Sequence, residues 1–255
     1  MFTNTTASAR RIALVAGIGY LFIFVTGIFA NFFVIEGMVM PGDPAGTLRN
    51  LQANPTQLRI GVLSFIIMVV ADLLLTWALY VLFRPVNAAL SSFAAMFRLV
   101  NVAIFGMALS HLMSVLTLTG AMGNIGASPA GYVQVAVMRS VTAFQHTWLI
   151  GLLFFGIHLL ALASLAVRSG SIPRFITLLL AIAGGGYLTD SIAQFMLADY
   201  DAYKTIFSTM VIVPGVLGEL SFTIWLLAKG MGRKRTHLFP DVTRSGYDAA
   251  VPVVR

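Results

Sequence analysis

Six runs of 24 or more residues, almost free of charge, decide what this chain can fold into. They cover about residues 12–36, 58–83, 89–118, 139–167, 174–198 and 206–229. A helix that crosses a bilayer needs about 20 mostly apolar residues, and each run exceeds that. Inside hydrocarbon every backbone N–H and C=O must find a partner within the protein, which for such runs means α-helix. The short alternating strands of an outer-membrane barrel are absent from the pattern. The expected fold is therefore all-α: a polytopic membrane bundle of six transmembrane helices over residues 1–231. A basic, unstructured tail over 232–255 follows.

Composition agrees with a bilayer as the natural solvent. Charged residues make up 10% of the 255 residues and mean hydropathy is +0.91, against about 25% charged residues in a soluble domain. The chain has no cysteine, which excludes disulfides and thiolate metal sites. Its net charge of +7 is not gathered on one basic face and no RNA or DNA motif accompanies it, so nucleic acid is excluded as a partner.

The cations instead report topology. With the N-terminus inside, eleven fall in cytoplasmic segments: Arg10, Arg11, Arg84, Arg168, Arg174, Lys229, Arg233, Lys234, Arg235, Arg244 and Arg255. Four fall outside: Arg49, Arg59, Arg139 and Lys204. That asymmetry predicts both termini in the cytoplasm. The GRKR stretch at 232–235 adds a weak attraction to anionic lipid. Arg10 and Arg11 also resemble the start of a signal peptide. The apolar run behind them is far longer than the about 7–15 residues of such a signal, so it reads as an uncleaved first span.

The connections differ in kind. RPVN (84–87) and RSGSIPR (168–174) read as tight inner turns. The long outer segment 37–59 is expected to hold a short surface helix over AGTLRNLQAN, opened by the PGDP turn, and 119–137 is expected to be a second outer loop. No internal repeat stands out.

Ionisable side chains within spans are costly unless paired, so each needs a reason. A rise of about 1.5 Å per residue converts position into depth and sorts them into two tiers. The inner tier is Asp72, Arg98, His158 and Glu219 on the second, third, fourth and sixth segments. Asn101 joins them one turn from Arg98. Two acids, one arginine and one protonated histidine would be neutral, and a guanidinium can bridge two carboxylates. Such a set fixes helix register, or serves as a polar ligand site or proton relay.

The outer tier is His111, His146 and Asp190, with Gln145, Tyr187 and Gln194 nearby. Tyr187, Asp190 and Gln194 recur at i, i+3 and i+7 and share one helix face. Two histidines and a carboxylate can hold zinc with a position left for water, and a histidine pair can ligate haem iron; a metal-free hydrogen-bonded core cluster uses the same residues. His146 and His158 share one segment, yet about 18 Å of rise and about 120° of rotation separate them, so they serve different tiers.

Two further features bear on packing. Gly184-Gly185-Gly186 lies mid-segment, where small residues allow close helix approach. Pro214-Gly215 in the last segment should free a carbonyl one turn earlier. Together they read either as packing devices or as breaks shaping a site. Trp77, Trp148 and Trp225 lie too deep for an interfacial belt and are expected to pack internally.

The ordered series MPGDPAGT (40–47), LRIG (58–61), YVLFRPVN (80–87), FRLVN (97–101), GLLFFGIH (151–158), RSGSIPR (168–174), AGGGYLTDS (183–191) and GELSFTIWLLAKG (218–230) resembles the bacterial membrane family named domain of unknown function 4386. The resemblance runs from about residue 8 to 230 and implies a six-helix protein of the bacterial inner membrane. Arg98, His158, Asp190 and Glu219 fall within its blocks. The intramembrane zinc hydrolases related to ceramidases have seven helices and an HxxxH pair on the last; this chain has no HxxxH.

Three functions follow from the residues. The first is small-molecule or proton-linked binding or transport through the polar interior. The second is a metal-dependent intramembrane enzyme using His111, His146 and Asp190. The third is a structural or sensory membrane protein without turnover. The bilayer is the expected partner in each, with a small molecule or the proton as ligand in the first. Nothing in the sequence specifies an oligomeric state.

Overall fold

A computed structural model describes residues 6–120 and 130–232. The chain runs through α1 (Thr6–Ile28), a π-helical segment (Phe29–Glu36), α2 (Pro44–Ala53), α3 (Pro55–Phe83), α4 (Ala88–Leu118), α5 (Ala130–Ser169), α6 (Arg174–Met196) and α7 (Tyr200–Met231). There is no strand among the described residues. Six stretches are long and apolar enough to cross a membrane: Ser8–Glu36, Pro55–Phe83, Ala88–Leu118, Gly131–Ser169, Arg174–Met196 and Tyr200–Met231. Large apolar side chains such as Val25, Leu74, Met107 and Val167 stand exposed along them. A water-soluble protein would hide such surface, whereas lipid accepts it.

The chain divides into two compact units, and α1, α3, α4 and α5 each contribute residues to both. The first unit takes in residues up to Ile18, Thr76–Phe97 and the chain from Gly156 onward. Glycines set its helix spacing. A Cβ placed on Gly17 would come 2.7 Å from the Leu227 side chain, and one on Gly230 would come 2.8 Å from the Leu14 nitrogen, so α1 and the end of α7 meet backbone to backbone. The α3–α4 turn closes on Asn87, whose Oδ1 accepts from the Leu90 N–H at 2.8 Å as a helix cap. Ser91 then donates to the Tyr80 carbonyl at 2.9 Å, tying α4 back to α3. Gly170, at φ +64, ends α5 in the left-handed conformation that glycine adopts without a Cβ clash.

The second unit takes in Gly19–Leu75 and Arg98–Phe155. Its core joins Val34, Leu51, Leu58, Phe65, Leu112, Val137 and Phe144. Trp148 stacks on Phe105 with ring centroids 3.6 Å apart and a 7° interplanar angle, and Phe65 and Phe144 meet the same indole. The short helix expected in 37–59 is α2. Asp43 accepts from the Gly46 N–H at 2.8 Å, Pro44 occupies the first turn, and Leu48 and Leu51 are buried on the inward side.

Two expectations change. The loop expected over 119–137 is shorter, because α5 already begins at Ala130 and buries Val133 and Val137 in the core; residues 121–129 lie outside those described. Residues beyond 232, the expected basic tail, also lie outside them. Trp77 does not pack internally: it is 56% exposed on α3, among other outward apolar side chains, while Trp148 and Trp225 pack as expected. The π-helical turn at the end of the first span was not foreseen. Its wider turn brings Asn31 beside Glu36, five residues on, at 2.9 Å. The Phe33 carbonyl within it accepts from Gln57 of α3 at 2.5 Å.

Candidate functional site

In the second unit, Asp72 of α3 and Arg98 of α4 form an ion pair, with Nε 2.5 Å from Oδ1. The arginine is 1% exposed and the aspartate 4%. The Arg98 guanidinium carbon lies 5.4 Å from the Tyr20 ring centroid and 5.3 Å from that of Phe155. Cations within about 6 Å of a ring centroid are attracted by its quadrupole, more so where water is absent. Tyr20 and Phe155 are thus part of the arginine's surroundings, although as aromatic residues in apolar runs they carried no signal beyond packing.

Asn101 is fully buried near this pair along α4. Its Nδ2 donates to the Gly151 carbonyl of α5 at 3.0 Å, while its Oδ1 has no partner among the described residues. Gly151 permits this: a Cβ there would come 3.2 Å from the amide nitrogen. A buried amide oxygen without a donor costs about 1–3 kcal/mol.

In the first unit, His158 of α5 is 1% exposed and its Nδ1 lies 2.9 Å from the Ala94 carbonyl. The ring borders a small cavity of about 10 Å³ also lined by Thr76, Tyr80 and Ser91. That is room for about one water molecule.

The same unit holds a polar series along α6 and α7. Asp190 accepts from Tyr200 at 2.5 Å and from Gln194 at 2.9 Å, so both its oxygens are engaged. Tyr187, one turn before Asp190 on α6, extends its hydroxyl over Gly215 of α7; a Cβ there would lie 3.4 Å from it. Glu219, one turn further along α7, is 9% exposed, and Tyr187 lies within electrostatic reach of both carboxylates. Ser191 is fully buried and its hydroxyl has no partner among the described residues. Tyr200 and Ser191 were missed in the sequence. Tyr200 sits in the polar stretch ADYDAY, outside the apolar run that marks the last span.

Among the described residues no group of three or more His, Asp or Glu side chains is placed to hold a metal ion. His146 is exposed, His111 is partly exposed, and Asp190 is buried with Tyr200 and Gln194 as partners. His111 and His146 belong to the second unit and Asp190 to the first.

Six apolar helices that bury an arginine, three carboxylates and a histidine define a multi-pass α-helical membrane protein with a polar interior. The chain belongs to the family described as domain of unknown function 4386, whose model matches residues 15–230. It is similar to an uncharacterized protein of the archaeon Archaeoglobus fulgidus, with 28% identity over 169 residues, covering 66% of this chain and 83% of the relative. No solved structure matches it.

Proposed function

We propose that this is a proton-linked protein that binds or transports a small molecule through its polar interior. In this reading it sits in the bacterial inner membrane with both termini cytoplasmic. The placement of Lys and Arg supports that orientation. The observation that carries the proton linkage is the series Tyr200, Asp190, Tyr187 and Glu219, stepped along the facing surfaces of α6 and α7. Carboxylates and phenols in sequence are the parts of intramembrane proton relays, and side chains this costly in a span often mark pathways. Within the second unit Asp72, Arg98 and Asn101 then supply ligand contacts, and within the first His158 does. The unpartnered Oδ1 of Asn101 is an acceptor and Arg98 a counter-charge for an anionic or hydrogen-bonding solute.

The test is proton flux into proteoliposomes holding a trapped pH dye, driven by a potassium diffusion potential. Wild-type protein should acidify the lumen faster than empty vesicles, and Asp190→Asn and Glu219→Gln should each remove the excess. Wild-type flux equal to that of a folded Asp190→Asn protein would sink the reading. One observation favours the structural alternative for part of the interior. Arg98 is closed in by its carboxylate and two aromatic rings, as a register-setting ion pair would be.

A further inference from the structure

We propose that the groove between the end of α4 and the start of α5 binds the headgroup of a phospholipid bearing a primary ammonium, of the phosphatidylethanolamine class. The groove encloses about 480 Å³. One wall is Ser114, Thr117 and Leu118, one face of α4 at i, i+3 and i+4; the other is Tyr132, Arg139 and Ser140 on α5.

The donors and acceptors there are complementary to that headgroup. Arg139 makes no ion pair and no hydrogen bond with any other described side chain, so its five N–H donors face the groove and solvent. A phosphodiester takes such a fork in two parallel bonds. The three hydroxyls are the opposite. Ser114 donates to the Ser110 carbonyl at 3.2 Å, Thr117 to Met113 at 3.0 Å and Ser140 to Ala136 at 3.0 Å. Each has spent its proton on its own helix and keeps lone pairs as acceptors. Three acceptors beside one guanidinium match a primary ammonium with three N–H donors tethered to a phosphate. A choline headgroup has the phosphate and no N–H.

Depth makes the occupant a lipid. In α5, 29 residues separate Arg139 from Arg168, about 44 Å of helix. From Ala88, the first residue of α4, to Ser114 the helix climbs 26 residues, about 39 Å. A bilayer measures about 40–45 Å across both headgroup layers. Ser114 and Thr117 lie near the end of the span-length apolar helix Ala88–Leu118, and Arg139 lies toward the start of Gly131–Ser169, the level at which a spanning helix meets headgroups. This inference does not depend on proton linkage or on which way the chain faces.

The experiment is native mass spectrometry of the full chain released from mixed micelles containing phosphatidylethanolamine and phosphatidylcholine of identical acyl chains. The mono- and dimethylated ethanolamine lipids form a series between them. Wild type should retain phosphatidylethanolamine about tenfold over phosphatidylcholine, the order expected of charge-assisted hydrogen bonds. The preference should fall stepwise with each added methyl. Arg139→Gln should reduce retention of both lipids, whereas Thr117→Val with Ser140→Ala should bring their ratio close to one. These side chains sit at the rim of the fold, and unchanged melting of each variant checks that. Equal retention of the two lipids by wild type overturns the proposal, and so does a preference that survives the hydroxyl variant.

Discussion

The Cα of Gly186 on α6 lies directly against the carbonyl oxygen of Met210 on α7; a Cβ at Gly186 would come within 3.0 Å of it. Met210 is the residue four before Pro214, and proline has no N–H to give that carbonyl. The glycine run and the proline therefore belong to one contact, in which the freed oxygen faces the bare backbone of the neighbouring helix. Gly184 makes the equivalent approach on the other side: a Cβ on it would lie 2.9 Å from the Gly156 carbonyl of α5, and the reverse also holds. α6 is thus held closely between two helices, and the polar series on it has fixed neighbours.

The middle glycine is a built-in control. Gly185 has nothing within 4 Å of its would-be Cβ. Gly186→Ala should lower the melting temperature in detergent, with a cost of about 1–3 kcal/mol for overpacking against backbone. Gly185→Ala should leave it unchanged or raise it, since alanine is favoured over glycine in a helix by about 0.5–1 kcal/mol. Equal effects at both positions would show that α6 and α7 do not meet at Gly186.

Arg98→Ala should strand the Asp72 carboxylate and cost about 3–5 kcal/mol, read as lost folded yield and a lower melting temperature. The joint replacement Asp72→Leu with Arg98→Met removes both charges and keeps apolar volume, and should recover most of that loss. A double change as damaging as the single one would mean that the two residues are not each other's main partners.

The sequence and the structure agree where length and hydropathy decide, and part where direction around a helix decides. Six spans follow from run length alone, and α2 from Asp43, Pro44 and the leucines behind them. Depth alone placed Asp72 level with Arg98, and the structure pairs them. Depth also grouped His146 with Asp190, but His146 turns outward, and no rise per residue can show that. The early start of α5 had a readable signal: Val133, Val137, Val141 and Phe144 recur at helical spacing and all enter the core. The polar residues among them and the charge of Arg139 masked it. The π-helical turn had none: its Val34 sits on Gly61 of another helix, a long-range contact that local hydropathy does not carry.

Tyr200→Phe should separate the hydrogen bond on Asp190 from packing. The ring stacks on Phe207 at 5.7 Å and would remain, while the hydroxyl donated to Oδ1 is lost. The expected cost is about 0.5–1.5 kcal/mol, as for a typical intramolecular hydrogen bond. The fold should survive, and the infrared carboxyl band assigned through Asp190→Asn should shift in the variant. An unshifted band would show that Tyr200 does not reach Asp190.

The π-helical segment is tied to α3 through one missing methyl group. A Cβ on Gly61 would overlap the side chain of Val34. The same segment offers its Phe33 carbonyl to Gln57, one turn before Gly61. Gly61→Ala should therefore destabilise by about 1–3 kcal/mol. Val34→Ala alone should also cost stability by opening a cavity in the core. Combined, the two changes should cost less than their sum, because the added methyl enters space that the valine has vacated. Coupling of about 0.5–3 kcal/mol is typical of residues in contact. A thermal or denaturant double-mutant cycle measures it, and strict additivity would place the end of the first span away from Gly61.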